Sequence, residues 1–204
     1  APMAVLTESE ARTLLEKTLA LSKAGECQVS LNGGRRGNLR FARNTVSTSG
    51  GADTLGLSVQ SGFGRKTGAA SINEFDDAAL ARVVRQSEEL ARLAPDNPEH
   101  VELVGPQKFL EPKAFFPSTA ALTQEDRVRA AAASIAVCRE QKLAAAGFLA
   151  DSDTFSALAN SRGLFGYQRS TGINFSITTR TANERGSGYG VADFADAALL
   201  DDAA

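Results

Sequence analysis

The sequence predicts an α+β protein built from two helix, antiparallel-meander, helix units, with sheets flanked by helices. Three observations carry that expectation. Apolar and polar residues alternate at Leu55, Leu57 and Val59 and again at Ile173, Phe175 and Ile177, the two-residue period of a strand with one buried face. Similar landmarks flank each triplet in the same order: Phe41-Ala42-Arg43-Asn44 and Ala157-Leu158-Ala159-Asn160 upstream, FDDAAL from Phe75 and FADAAL from Phe194 downstream. The landmarks shift by 116, 118 and 119 residues, the slack that turn insertions between repeats produce.

In chain order, Thr7-Glu8-Ser9-Glu10 is a capping box, so a helix starts there. Ala11, Leu14, Leu15, Thr18 and Leu19 form its stripe, and Gly25 closes the segment. Cys27 to Leu31 then reads as a strand, Asn32 to Gly37 as a glycine loop, and Leu39 to Ala42 as the returning strand. Val46 to Ser49, Thr54 to Ser61 and Arg65 to Ile72 continue an antiparallel meander. After FDDAAL, the residues Val83, Val84, Ser87, Leu90 and Ala91 keep helical spacing until Pro95.

Residues 95 to 117 hold five of the six prolines. Proline lacks the amide hydrogen that a helix interior or a central strand needs, so this stretch predicts an extended connector. The second unit opens as the first does, with Thr123-Gln124-Glu125-Asp126 as a cap. Val128, Ala131, Ala132, Ile135 and Cys138 supply the helical stripe. Gly147 to Asp151, Thr154 to Asn160, Gly163 to Ser170 and Gly172 to Arg180 are the strand candidates. A helix expected to begin near Asp193 meets Ala204 after a few turns, which suggests a piece of a longer polypeptide. The expected domains are thus residues 1–94, a connector at 95–122, and a second, truncated unit at 123–204.

Composition narrows the function. A chain of 204 residues with 43% hydrophobic content can bury a real core. A net charge of -2 offers no global field for polyanions, which argues against nucleic acid as the main ligand. A local basic cluster of Arg35, Arg36, Arg40, Arg43, Arg65 and Lys66 reads as a solvated sheet face. No apolar run approaches the roughly 20 residues that span a bilayer, and no signal peptide is evident at the N-terminus. A cytoplasmic location follows as the expectation, with no membrane partner. Cys27 and Cys138 lie on a strand face and a helical stripe, the pattern of reduced, buried cysteines.

Candidate chemistry is sparse. His100 is the only histidine and sits in the proline-rich connector without a second histidine or a nearby cysteine, so a packing role is expected. Gly62-Phe63-Gly64-Arg65-Lys66-Thr67-Gly68 resembles the end of a phosphate loop, yet leads into a strand instead of a helix. Asp76, Asp77, Asp193 and Asp196 occupy predicted first turns, where negative charge favours the helix dipole. Arg180, Arg185, Ser187 and Tyr189 read as a solvated hairpin end. No catalytic, cofactor-binding or metal residue is expected within these 204 positions.

The chain resembles the TldD/PmbA family, candidate zinc-dependent proteases also called modulators of DNA gyrase. The resemblance rests on LRFARN from Leu39, GRKTGAASIN from Gly64, ANSRGLFGYQRSTG from Ala159, FSITTRT from Phe175 and GSGYG from Gly186, in that order. It implies that these residues form the N-terminal half of a longer protein. It also implies that zinc belongs to the missing C-terminal half of an active parent, on an HExxxH motif with a later cysteine. No position here matches those elements. The partners implied are a family-related subunit, as homo- or heterodimer, and unfolded peptides cut inside an enclosed chamber. The alternative is an interaction module of an inactive PmbA-like partner subunit, without protease activity.

Overall fold

A computed structural model describes residues 4–200 of the chain. The elements run α1 (Glu8–Leu19), β1 (Glu26–Ala42), β2 (Thr45–Phe63), β3 (Lys66–Ile72), α2 (Asp77–Leu93), α3 (Pro117–Ala120), α4 (Gln124–Glu140), β4 (Leu143–Asn160), β5 (Phe165–Thr181), β6 (Ser187–Phe194) and a 3-10 turn (Ala197–Leu199). The strands form a six-stranded sheet in the order β3-β2-β1-β4-β5-β6. The α+β class expected from the sequence is therefore observed.

The strands are fewer and longer than the sequence spacing predicts. The expected hairpin at Asn32 to Gly37 is absent, because β1 runs unbroken through Gly33 and Gly34. Its reversal comes instead at Arg43 and Asn44, both at positive φ (50° and 58°), as a tight two-residue hairpin requires. Likewise β2, β4 and β5 each join two predicted strands into one.

Two compact units are assembled from interleaved segments of the chain. The first takes Ala1–Gly34, Thr54–Pro112 and Phe155–Gln168. Within it, the Thr7 capping box closes as predicted: the Glu10 amide donates to Thr7 Oγ1 at 3.3 Å and the Thr7 amide to Glu10 Oε2 at 2.8 Å. Helix α1 buries Ala11, Leu15 and Thr18 and ends at an Ala20 cap, before the predicted Gly25. Helix α2 starts at the Asp76 cap and stops at Ala94, before Pro95. It buries Leu80, Val83 and Val84 against Cys27, Val29, Leu31, Leu57 and Val59, each large aliphatic side chain contributing about 1.5–3 kcal/mol. A Cβ on Gly68 of β3 would stand 2.2 Å from the Ala91 amide nitrogen of α2, so only glycine allows this close approach.

The second unit takes Arg35–Asp53, Lys113–Thr154 and Arg169–Ala204. The Thr123 capping box starts α4 as predicted. Its buried stripe is turned from the expected one: Arg127, Ala130, Ala131, Ser134, Ile135 and Cys138 are buried, while Val128 is exposed. A buried arginine displaces a valine because a carboxylate awaits it on β4. The core comprises Leu39, Phe41, Ala131, Ile135, Leu149, Ile173 and Phe175. No helix begins near Asp193; that residue lies in β6, and only the short turn at Ala197–Leu199 follows. Residues 201–204, where the rest of that expected helix falls, lie outside the described residues.

Candidate functional site

The most organised charged cluster lies in the second unit, on side chains that sequence reasoning did not assemble. Arg127 of α4 donates from Nη1 to Asp151 Oδ2 of β4 at 2.7 Å, with only 10% and 11% of the two side chains exposed. Among the described residues its buried Nε has no hydrogen-bond partner. Two positions along β4, buried Asp153 accepts from Arg169 Nε at 2.8 Å and Nη2 at 2.6 Å, a bidentate fork. Arg35 Nη2 lies 3.6 Å from the same carboxylate and donates to the Ala120 carbonyl at 3.3 Å. Arg35, Arg127, Asp151 and Asp153 border a cavity of about 470 Å3 with Gly37 and Thr119. Each buried carboxylate already carries an arginine, so the cluster is an electrostatic strut and holds no free acid or base.

Arg35 is exposed as expected of a solvated basic face, although its guanidinium also reaches Asp153, and Lys66 is half-buried. Arg36, Arg40, Arg43 and Arg65 are exposed as expected, with the Arg40 guanidinium 5.2 Å from the Phe148 ring centroid. The signal that could have revealed the cluster is the Asp151, Asp153 spacing. Two carboxylates at i and i+2 on a strand share one face, and on the buried face they require cations.

In the first unit, His100 packs as expected, with a specific partner. Its Nε2 lies 3.2 Å from Glu26 Oε2. Glu26 Oε1 accepts from the Leu103 amide at 3.0 Å, and Arg162 Nη2 stands 3.3 Å from it. Arg162 also donates to Glu102 at 2.7 Å, and that hydrogen bond holds the Glu102 carboxyl below its ordinary range. The arrangement clasps the connector to the start of β1.

Of the remaining candidates, Asp193 lies in β6 instead of a helix first turn and accepts from Asn174 Nδ2 at 3.1 Å. Gly62 to Gly68 forms the β2–β3 hairpin, with Phe63 opposite Lys66 and Gly64 at φ +59°. Asp76 caps α2, and Asp77 pairs with Lys17 at 2.5 Å. Asp196 accepts from the Ala198 amide at 3.0 Å and from Ser118 at 2.5 Å. Its carboxyl is lowered chiefly by the Ser118 hydrogen bond. Burial pushes the thiols of Cys27 and Cys138 up, away from the thiolate that a nucleophile or metal ligand needs.

The donor set of the described residues does not fit a zinc centre. Cys27 is buried in the first unit's core, Cys138 in the second's, and His100 is committed to Glu26. Among the described residues no three of His, Cys, Asp and Glu gather into a group that could hold a metal ion. Among them, too, no helix is long and apolar enough to cross a membrane.

The other surface with chemical character is the β5–β6 ribbon of the second unit. Ile173 and Phe175 of β5 are buried, so alternation puts Asn174, Ser176 and Thr178 on the opposite face. In register beside them stand Asp193, Val191 and Tyr189. Tyr189 is 70% exposed and Val191 59%. This face offers hydroxyl and amide groups flanked by two apolar side chains.

Comparison with known proteins ties these features together. Residues 27–91 match the family model described as PmbA/TldA metallopeptidase domain 1, and residues 118–204 match the PmbA/TldA metallopeptidase central domain. No curated protein sequence matches significantly. Among solved structures, TldE from Thermococcus kodakarensis superposes with a TM-score of 0.80 at 14% identity, over 91% of this chain and 43% of that one. A candidate modulator of a DNA gyrase from Thermotoga maritima gives 0.81 at 16% identity, over 97% and 45%. A third, from Bacteroides thetaiotaomicron, gives 0.78 at 18%, over 97% and 48%. The chain thus spans less than half the length of these relatives and shares their fold. The two domain matches stand in order on either side of the proline-rich connector and together cover well over half of the sequence, so this chain belongs to the TldD/PmbA family.

Proposed function

We propose that this chain is the N-terminal, non-catalytic half of a TldD/PmbA-like zinc metallopeptidase, forming a chamber wall and subunit contacts and gating unfolded peptides. Support comes from the exposed face of the β5–β6 ribbon, where Asn174, Ser176 and Thr178 lie beside Tyr189 and Val191. Side-chain hydroxyls and amides on such a face can bond an extended chain whose backbone is free, and a folded substrate has no such chain to offer. In the active parent, zinc would lower the pKa of its bound water and polarise the scissile carbonyl, on residues outside this chain. What these residues contribute is access and selectivity.

Proteolysis by the parent, with and without this half, on folded and unfolded versions of one substrate tests the proposal. The expected result is preference for the unfolded version that weakens when the half is removed. Unchanged selectivity would eliminate the gating role. Zinc analysis complements it: the parent is expected to carry stoichiometric metal, and residues 1–204 alone none. An HExxxH motif downstream of Ala204 would mark an active parent, and its absence an inactive partner subunit.

A further inference from the structure

The two edges of the sheet are not alike. Strand β3 carries Lys66 at its turn and lies beneath α2, whose backbone meets Gly68. Strand β6 has no proline and no lysine, and all but Ala192 and Phe194 of its eight residues are exposed. Edges left in this state recruit another strand.

The unpaired backbone groups of β6 follow from the hairpin. The Thr181 amide donates to the Gly186 carbonyl at 3.0 Å, which makes this a hydrogen-bonded pair. Alternation then makes Thr179–Gly188, Ile177–Gly190, Phe175–Ala192 and Ile173–Phe194 the bonded pairs within β5–β6. The N–H and C=O groups of Ser187, Tyr189, Val191 and Asp193 therefore point away from the sheet.

We propose that these four residues pair with the same four of a second copy of this chain, antiparallel about a twofold axis at Gly190. This names the face of the subunit contact proposed above and rests on that reading. About that axis Tyr189 stands opposite Val191, Ser187 opposite Asp193, and Gly188 opposite Ala192. The two most exposed apolar side chains of the strand cover one another twice, as the best cross-strand pairs do. Moving the axis to residue 189 leaves Asp193 without a β6 partner, and moving it to 191 leaves Ser187 without one. Of these registers, only that centred on Gly190 engages all four outward residues.

Cysteine crosslinking reads the register directly. In this pairing Gly190 faces its own copy as a non-hydrogen-bonded pair, with Cα atoms about 4.5 Å apart, inside the roughly 4.4–6.8 Å range that a disulfide spans. The two copies of Gly188 would be about 14 Å apart. A side chain fits at 190, since its Cβ would meet nothing nearer than Ile177 Cγ2 at 3.6 Å. Under mild oxidation Gly190→Cys is expected to run mostly as a covalent dimer on non-reducing gels and Gly188→Cys as monomer. Light scattering is expected to give the unmodified chain twice the monomer mass. Val191→Pro, which removes an outward N–H and no bond to β5, is expected to be monomeric with an unchanged circular dichroism spectrum. A dimer in which Gly190→Cys fails to crosslink would overturn the inference while leaving a subunit contact through another face. A monomeric chain, with or without added extended peptide on the β6 edge, would overturn it outright.

Discussion

Arg127 and Gly37 occupy adjoining space: a Cβ built on the glycine would stand 2.1 Å from Arg127 Nη1 and 2.8 Å from Asp151 Oδ2. The glycine is the slot through which the α4 arginine reaches the β4 carboxylate. Gly37→Ala is therefore expected to destabilise the protein by about 2–4 kcal/mol, the cost of overpacking plus a displaced ion pair. Gly64→Ala, at φ +59° with open space around it, should cost only the roughly 1–2 kcal/mol of a left-handed backbone. Urea unfolding of both variants makes the comparison. Equal losses would show that the slot is not occupied as described.

The ion pair itself is buried enough for one-sided removal to be severe. Arg127→Met leaves Asp151 unpaired and should cost about 3–5 kcal/mol, whereas Arg127→Met with Asp151→Leu should recover most of it. A double-mutant cycle by equilibrium unfolding measures the coupling. Additive losses would mean that the 2.7 Å contact contributes nothing.

The capping carboxylates make stability depend on acid. Hydrogen bonds from the Thr123 side chain, and then its backbone, hold the Asp126 carboxyl below its ordinary 3.8. The Thr7 backbone foremost holds Glu10 below 4.5. A carboxyl lowered on folding contributes stability that is fully present above the unfolded value and lost as pH falls through the folded one. Stability should therefore decline below pH of about 4.5, and Thr123→Ala should flatten part of that decline. Unfolding curves at stepped pH test it; identical slopes in variant and parent would exclude the cap as a source.

Glu26 holds the connector through the Leu103 amide, His100 and Arg162. Glu26→Ala should leave global unfolding within about 1–2 kcal/mol of the parent yet raise proteolytic nicking between residues 98 and 112 several-fold, because local opening is governed by local contacts. Limited proteolysis with mass spectrometry locates the cuts. Nicking elsewhere, or none, would show that the clasp does not secure the segment.

What was legible in the sequence was local. Both capping boxes, the stop at Pro95 and the alternating triplets around Leu57 and Phe175 depend on neighbours a few residues away, and the structure bears them out. Strand lengths were misjudged because glycine has two uses. Gly33 looks like a turn former and Gly147 like the start of a strand, but they sit inside β1 and β4, where a Cβ would strike Leu55 and Phe155 in one case and Phe41 and the Ser176 carbonyl in the other. Those constraints come from distant chain. The arginine strut was half legible: the Asp151, Asp153 spacing asks for cations, but Arg127 is unremarkable on a helix until Asp151, 24 residues later, faces it.

The neighbouring of β1 and β4 in the sheet has a consequence for biosynthesis. The Asn44 amide bonds to the Ala145 carbonyl, and the Cys27 amide to Ser161 Oγ, so β1 finds its second neighbour only after more than a hundred further residues emerge from the ribosome. At about 5–20 residues per second, a finished β1–β2 hairpin waits several seconds with one apolar flank open. Chaperone demand during translation should peak in that interval.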